Sequence, residues 1–164
     1  MIRLIVVLAV AGLSAGHADP VAAHGEKSHA ASAIDYEKTE EKPFGRASDP
    51  RNAKRTIRID MSDTMRFSPA ELEVRKNDSV RFIVRNSGKQ MHEMVLGTMK
   101  ELKEHAALMR KHPGMEHDEP WMAHVAPGKT SELGWRFTKP GTYYYGCLIP
   151  GHFEAGMIGK VIVK

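Results

Sequence analysis

The stretch CLIPGHFEAGM, Cys147 to Met157, holds the only cysteine of the chain, then His152 and Met157 at intervals of five residues. A thiol, an imidazole and a thioether are all donors for a transition metal. With no second cysteine, Cys147 cannot close an intramolecular disulfide, which leaves burial as a small hydrophobe, a catalytic role, or a metal. A mononuclear copper centre takes a thiolate and two imidazoles around the ion and a distant thioether on its axis, so one further histidine is needed. His92, in NSGKQMHEM just after the strand-like RFIVRN, is the candidate, because a histidine at a strand end can meet a C-terminal ligand loop. A structural zinc site competes, but zinc prefers four strong donors, and a thioether suits it poorly.

Such a site needs a scaffold that brings residues 92 and 147–157 together. From Arg55 onward the chain runs in short alternating segments: TIRIDM, ELEVRK, DSVRFIVRN, SELGWRF, GTYYYGC and GKVIVK, separated by Lys76-Asn77-Asp78, Lys139-Pro140-Gly141 and the quoted loop. These predict an antiparallel β-sandwich or barrel. One segment departs from that rhythm. In TMKELKEHAALMRKH, Thr98 can cap with Glu101, and Met99, Leu102, Ala106 and Met109 share one helical face before Pro113-Gly114. The pattern predicts an inserted helix at about 98–112, followed by a Met/His-rich loop.

The N-terminal region differs from the rest. MIRLIVVLAVAGLSAGHA has one basic residue, an apolar run and a small-residue end, so residues 1–18 are expected to be a signal peptide and the protein to be periplasmic. The ten-residue run makes a helix of about 15 Å, too short for a membrane core of about 30 Å. Residues 19–52, rich in Ala, Glu, Lys, Ser and Pro, are expected to be a flexible leader, and residues 53–164 one compact domain. The formal charge of +4, reduced to about +3 by loss of Arg3 with the signal, is spread among acids and bases. No basic stripe is interleaved with aromatics, so nucleic acid is not an expected partner.

The order MRFSPAELEV, DSVRFIVRN, MHEMVLG, VAPGKTSELGWRF, KPGTYYYGC and IPGHFEAGMIGKVIV resembles the cupredoxin family over most of residues 56–164. The resemblance implies a Greek-key β-sandwich and a type 1 copper centre with His92, Cys147 and His152 around the ion, Met157 on the axis, and His152 as the electron exit. It also gives Asn86 the part of a brace for the ligand loops. Multicopper oxidases and copper nitrite reductases resemble this fold but flank the equivalent cysteine with histidine, where this chain has Gly146 and Leu148. No catalytic residues are therefore expected.

Methionines and histidines crowd into residues 91–124, where Met94, His105, Met109, His112, Met115, His117, Met122 and His124 form a pool of donors for additional Cu(I). Met99 and Met109 also belong to the apolar stripe of the expected helix, where packing accounts for them. So dense a segment resembles the exported copper-tolerance cupredoxins of the CopI type. That resemblance implies copper tolerance through binding and redox handling of periplasmic copper, with a redox or copper-transfer protein as partner and no stable membrane insertion after signal cleavage. A soluble one-electron carrier between respiratory or photosynthetic complexes is the alternative reading, and a cuprous oxidase stands third.

Overall fold

The computed structural model describes residues 34–113, 115 and 117–164. The expected signal peptide, and residues 19–33 of the expected leader, lie outside the described residues. Ten strands are described: β1 (Arg46–Ala47), β2 (Arg55–Ser62), β3 (Arg66–Ser68), β4 (Glu71–Val74), β5 (Ser79–Asn86), β6 (His92–Gly97), β7 (Met122–Val125), β8 (Thr130–Arg136), β9 (Gly141–Gly146) and β10 (Ile158–Val163). They form two five-stranded sheets, ordered β1-β8-β5-β2-β3 and β4-β10-β9-β6-β7. Pairing is antiparallel except for β2 with β5 and β4 with β10.

Alternation makes the sandwich. Ile57, Ile59 and Met61 of β2 and Val80, Phe82 and Val84 of β5 turn inward, and their charged neighbours face out. They meet Leu96, Tyr145 and Val161 of the other sheet in one continuous core. Strand β6 breaks the alternation, since all six of its residues are buried. Its outer side is covered by helix α1 (Met99–Lys111), which lays Leu102 and Ala106 against Val95, Met122 and Leu148. A strand buried on both faces carries no period-two signal.

The expected helix is present at its expected place. Thr98 Oγ1 accepts from the Glu101 N–H at 3.2 Å while Glu101 Oε2 accepts from the Thr98 N–H at 2.9 Å, so two of the otherwise unpaired N-terminal donors are satisfied. His112 caps the other end, and Pro113, which has no N–H to give, follows it.

The expected flexible leader of residues 19–52 needs correction in its last part. Phe44 is 2% exposed and stacks on Trp135 with ring centroids 4.9 Å apart, and the Trp135 indole N–H donates to the Phe44 carbonyl at 3.0 Å. Strand β1 pairs with the edge of β8, Arg46 opposite Arg136. Gly134 makes room for this segment: a Cβ there would lie 1.9 Å from the Ser48 carbonyl oxygen, and the Ser48 N–H donates to the Gly134 carbonyl at 3.0 Å. Local composition around Phe44 is polar, so only its long-range partner reveals that it belongs to the core. Phe44→Ala should therefore lower stability by about 3–5 kcal/mol, the usual cost of emptying a buried aromatic site. Urea unfolding of the two proteins measures it, and a loss near zero would return the segment to a loose leader.

Candidate metal centre

The antiparallel pairing of β6 with β9 sets Val95 opposite Gly146, so Cys147, one residue past β9, arrives beside the start of β6, where His92 stands. The chain then turns on itself before entering β10. Within the turn the His152 N–H donates to the Ile149 carbonyl at 2.9 Å, the Met157 N–H to the His152 carbonyl at 3.0 Å, and the Cys147 N–H to the Met157 carbonyl at 3.1 Å. These bonds draw Cys147, His152 and Met157 into one closed loop. Cys147 Sγ lies 3.3 Å from His152 Nδ1 and 4.0 Å from His92 Nδ1, and the donor atoms of all three residues fall within 4.8 Å of one another. Cys147, His92 and Met157 are fully buried, and His152 is 8% exposed. No other such group of three or more His, Cys, Asp or Glu side chains occurs among the described residues.

The surroundings orient the donors. The Lys89 and Gln90 N–H groups both donate to Asp63, at 2.7 and 3.2 Å, and the first of these does most to hold its carboxyl below the ordinary range. An ionised carboxylate only accepts, so His92 Nε2 carries the proton it donates to Asp63 Oδ1 at 3.1 Å, leaving the Nδ1 lone pair facing Cys147. Asn86 is fully buried and braces the loop before His92. Its Nδ2 donates to Gln90 and Val125 carbonyls at 2.7 and 2.8 Å, and its Oδ1 accepts from the Gly88 N–H at 2.9 Å.

Glu93, 3% exposed, holds the other side. Its backbone N–H points at Cys147 Sγ at 3.5 Å, its Oε1 accepts from the Leu148 N–H at 2.8 Å, and its Oε2 meets His124 Nε2 at 2.8 Å. Further along the turn, Glu154 pairs with Arg110 at the end of α1, and Arg66 donates to the Ala155 carbonyl at 2.9 Å. Sequence reasoning missed Asp63, Glu93, Arg66 and the Arg110–Glu154 pair. Each acts across a long sequence separation, and only the adjacency of Glu93 to His92 offered a signal.

Burial pushes the Cys147 thiol up to about 12, opposed by the Glu93 N–H. Cys147 therefore keeps its proton at neutral pH unless a metal displaces it. Burial, and then His92, lower the basicity of His152, so its imidazole stays neutral and able to donate a lone pair.

The model of the copper-binding proteins of the plastocyanin/azurin family matches residues 53–164. The chain belongs to that family, the cupredoxins. Among curated proteins it is similar to the copper-resistant cuproprotein CopI of Rubrivivax gelatinosus, at 48% identity over 96% of this chain and 94% of that protein. It is also similar to the copper-resistant cuproprotein CopI of Pseudomonas aeruginosa, at 33% identity over 74% and 82% of the two chains. The fold matches the auracyanin of Roseiflexus castenholzii with a TM-score of 0.60 at 20% identity, covering 69% of this chain and 99% of that one.

Among the described residues, this cupredoxin does not bring its other methionines and histidines into one cluster. Met94 lies in the core between the sheets, Met109 is one of the buried residues of α1 itself, and Met122 packs with Val95, Leu102, Ala106 and Leu148. His112 is exposed at the helix end. His124 is bound to Glu93 and, at 3.3 Å, to Asp118. Only His105 and His117 meet, with Nε2 atoms 2.8 Å apart, and Met115 lines the same groove.

The hydrogen bond that His124 donates to Glu93, with Asp118 adding to it, raises the pKa of His124 above its ordinary 6.5. The folded protein then binds this proton more tightly than the unfolded chain does. The stability it contributes is full below about pH 6.5 and is lost as pH rises through the raised value. His124→Gln should accordingly lower the urea midpoint more at about pH 6 than at about pH 9. An equal drop at both would mean that His124 is held by packing alone.

Proposed function

We propose that this cupredoxin is a periplasmic copper-tolerance protein. On this reading one type 1 copper would be held by His92, Cys147, His152 and Met157, with the thioether as the weakest of the four donors, and the protein would bind and redox-handle copper. The observation that carries the reading is the convergence of one thiol and two imidazole Nδ1 atoms at a buried point. The donor set fits copper. Among the described residues no carboxylate joins the group as a fourth strong donor, as structural zinc would require, and a fully buried methionine closes the same loop. Copper bound there supplies one-electron cycling between Cu(II) and Cu(I).

The chain does the rest. Asp63 fixes the His92 tautomer, the Glu93 N–H stabilises negative charge on the Cys147 sulfur, and the loop hydrogen bonds hold the donors in one arrangement. A frame that does not relax suits both oxidation states, which keeps reorganisation low. The similarity to proteins named for copper resistance supports tolerance as the role. A redox or copper-transfer protein is the partner this role requires.

The second reading, a soluble electron carrier, draws on His152. It is 8% exposed, against 0% for His92, Cys147 and Met157, and Ile149 and Phe153 of the same turn are partly buried apolar residues, which suits brief docking and electron exit.

Cu(II)-loaded protein should show strong visible thiolate-to-copper absorption. Cys147→Ser should abolish it, whereas Met157→Leu should keep copper and shift the reduction potential, because a thioether would be the weakest of the four donors. Retention of the band in Cys147→Ser would overturn the ligand assignment.

Cells lacking the protein should grow poorly in excess copper and respire normally when copper is scarce. The opposite pattern, normal growth in excess copper with a respiratory defect, would favour the electron carrier.

A further inference from the structure

His105 and His117 come from different elements, the middle of α1 and the loop after it, yet their rings lie 4.8 Å apart between centroids at a 38° tilt, with Nε2 facing Nε2 at 2.8 Å. Two imidazoles so placed share at most one proton. Burial, and then the neighbouring His117, make His105 harder to protonate, so the His105 ring keeps a lone pair to donate. A pair kept for structure alone would be expected to satisfy its remaining nitrogens, but His117 Nδ1 is buried with no hydrogen-bond partner. The same groove contains the Met115 side chain, 40% exposed on a surface otherwise sparing of large apolar groups, together with Leu108 and Trp121. Glu119 stands at the groove and acts on His105 as a nearby negative charge.

We propose that His105, His117 and Met115 form a second metal site, selective for a soft monovalent cation, Cu(I) or its redox-silent analogue Ag(I). A thioether is a soft donor and imidazole one that copper accepts, and the cation's low coordination number needs no fourth group. The acidic Glu119 raises the local concentration of cations without supplying the soft contact. Of the eight candidate donors, this site takes three: Met94, Met109 and Met122 are committed to packing, His124 to Glu93, and His112 stands exposed at the helix end. The inference rests on the copper reading only for the identity of the physiological ion. The site itself shares no residue with the Cys147 centre.

The test is Ag(I) titration of full-length mature protein followed by histidine side-chain ¹⁵N resonances, with parallel Cu(I) uptake measured against a chromophoric Cu(I) chelator. The Nε2 resonances of His105 and His117 should shift together on Ag(I) addition, and Zn(II) at equal concentration should move them little. His105→Gln and, separately, Met115→Leu should remove one equivalent of Cu(I). Both variants should keep the Cu(II) charge-transfer band, which reports an intact fold and an intact Cys147 centre. Unmoved His105 and His117 resonances, or an equal response to Zn(II), overturn the soft-metal site whatever the coloured centre does. A missing charge-transfer band in the unsubstituted protein, with the two histidines still responding to Ag(I), would instead overturn the reading of Cys147 and leave this site standing.

Discussion

Three polar side chains converge in a dry interior, and the structure is arranged to stop them from relaxing away. A thiol and two imidazoles within 4.8 Å, shut off from water, gain little from one another and lose hydration, so the arrangement is costly until something binds. It persists because neither strand carrying it is free to move. The register of β6 on β9 places His92 and Cys147 side by side, and the core on one face and α1 on the other grip β6 along its whole length. Preorganisation here is a property of two sheets and a helix more than of the loop that holds three of the four proposed donors.

Glu93 carries this constraint outward. One oxygen takes the Leu148 N–H, next to Cys147, and the other meets His124 on β7, so a single buried carboxylate ties the ligand loop to the strand that ends the Met/His-rich segment. The Arg110–Glu154 pair makes a second tie, from the end of α1 to the far side of the same loop. The inserted helix is thus mechanically continuous with the metal centre. Movement of α1 or of the loop after it reaches Cys147 through two polar contacts, one of them buried.

The proposed donors are more legible in the sequence than the groups that steady them. Cys147, His152 and Met157 lie within eleven residues and their spacing is visible in one line, and the alternation in β2, β5 and β10 announces a sandwich. The helix was legible because its capping box and apolar stripe are local. Asp63 was invisible because it meets His92 across 29 residues from an otherwise ordinary turn. Phe44 was misjudged for a similar reason: a polar neighbourhood hides a ring whose partner lies 91 residues away. Among the methionines, composition alone could not divide donors from fillers. Met94 and Met115 are the same residue type, and only the fold sends one to the core and leaves the other 40% exposed.

That division has a kinetic consequence. An ion held at Cys147 would sit within a loop tied by its own backbone hydrogen bonds, by Arg66 and by Glu154, so its exchange would require those ties to open. The groove at His105 and His117 is open, with Met115 at its surface, and exchange there requires a side chain to swing rather than a loop to unfold. On this reading one chain separates two tasks that a single site performs poorly, since tight, geometry-fixed binding suits redox cycling and shallow binding by soft donors suits capture and release.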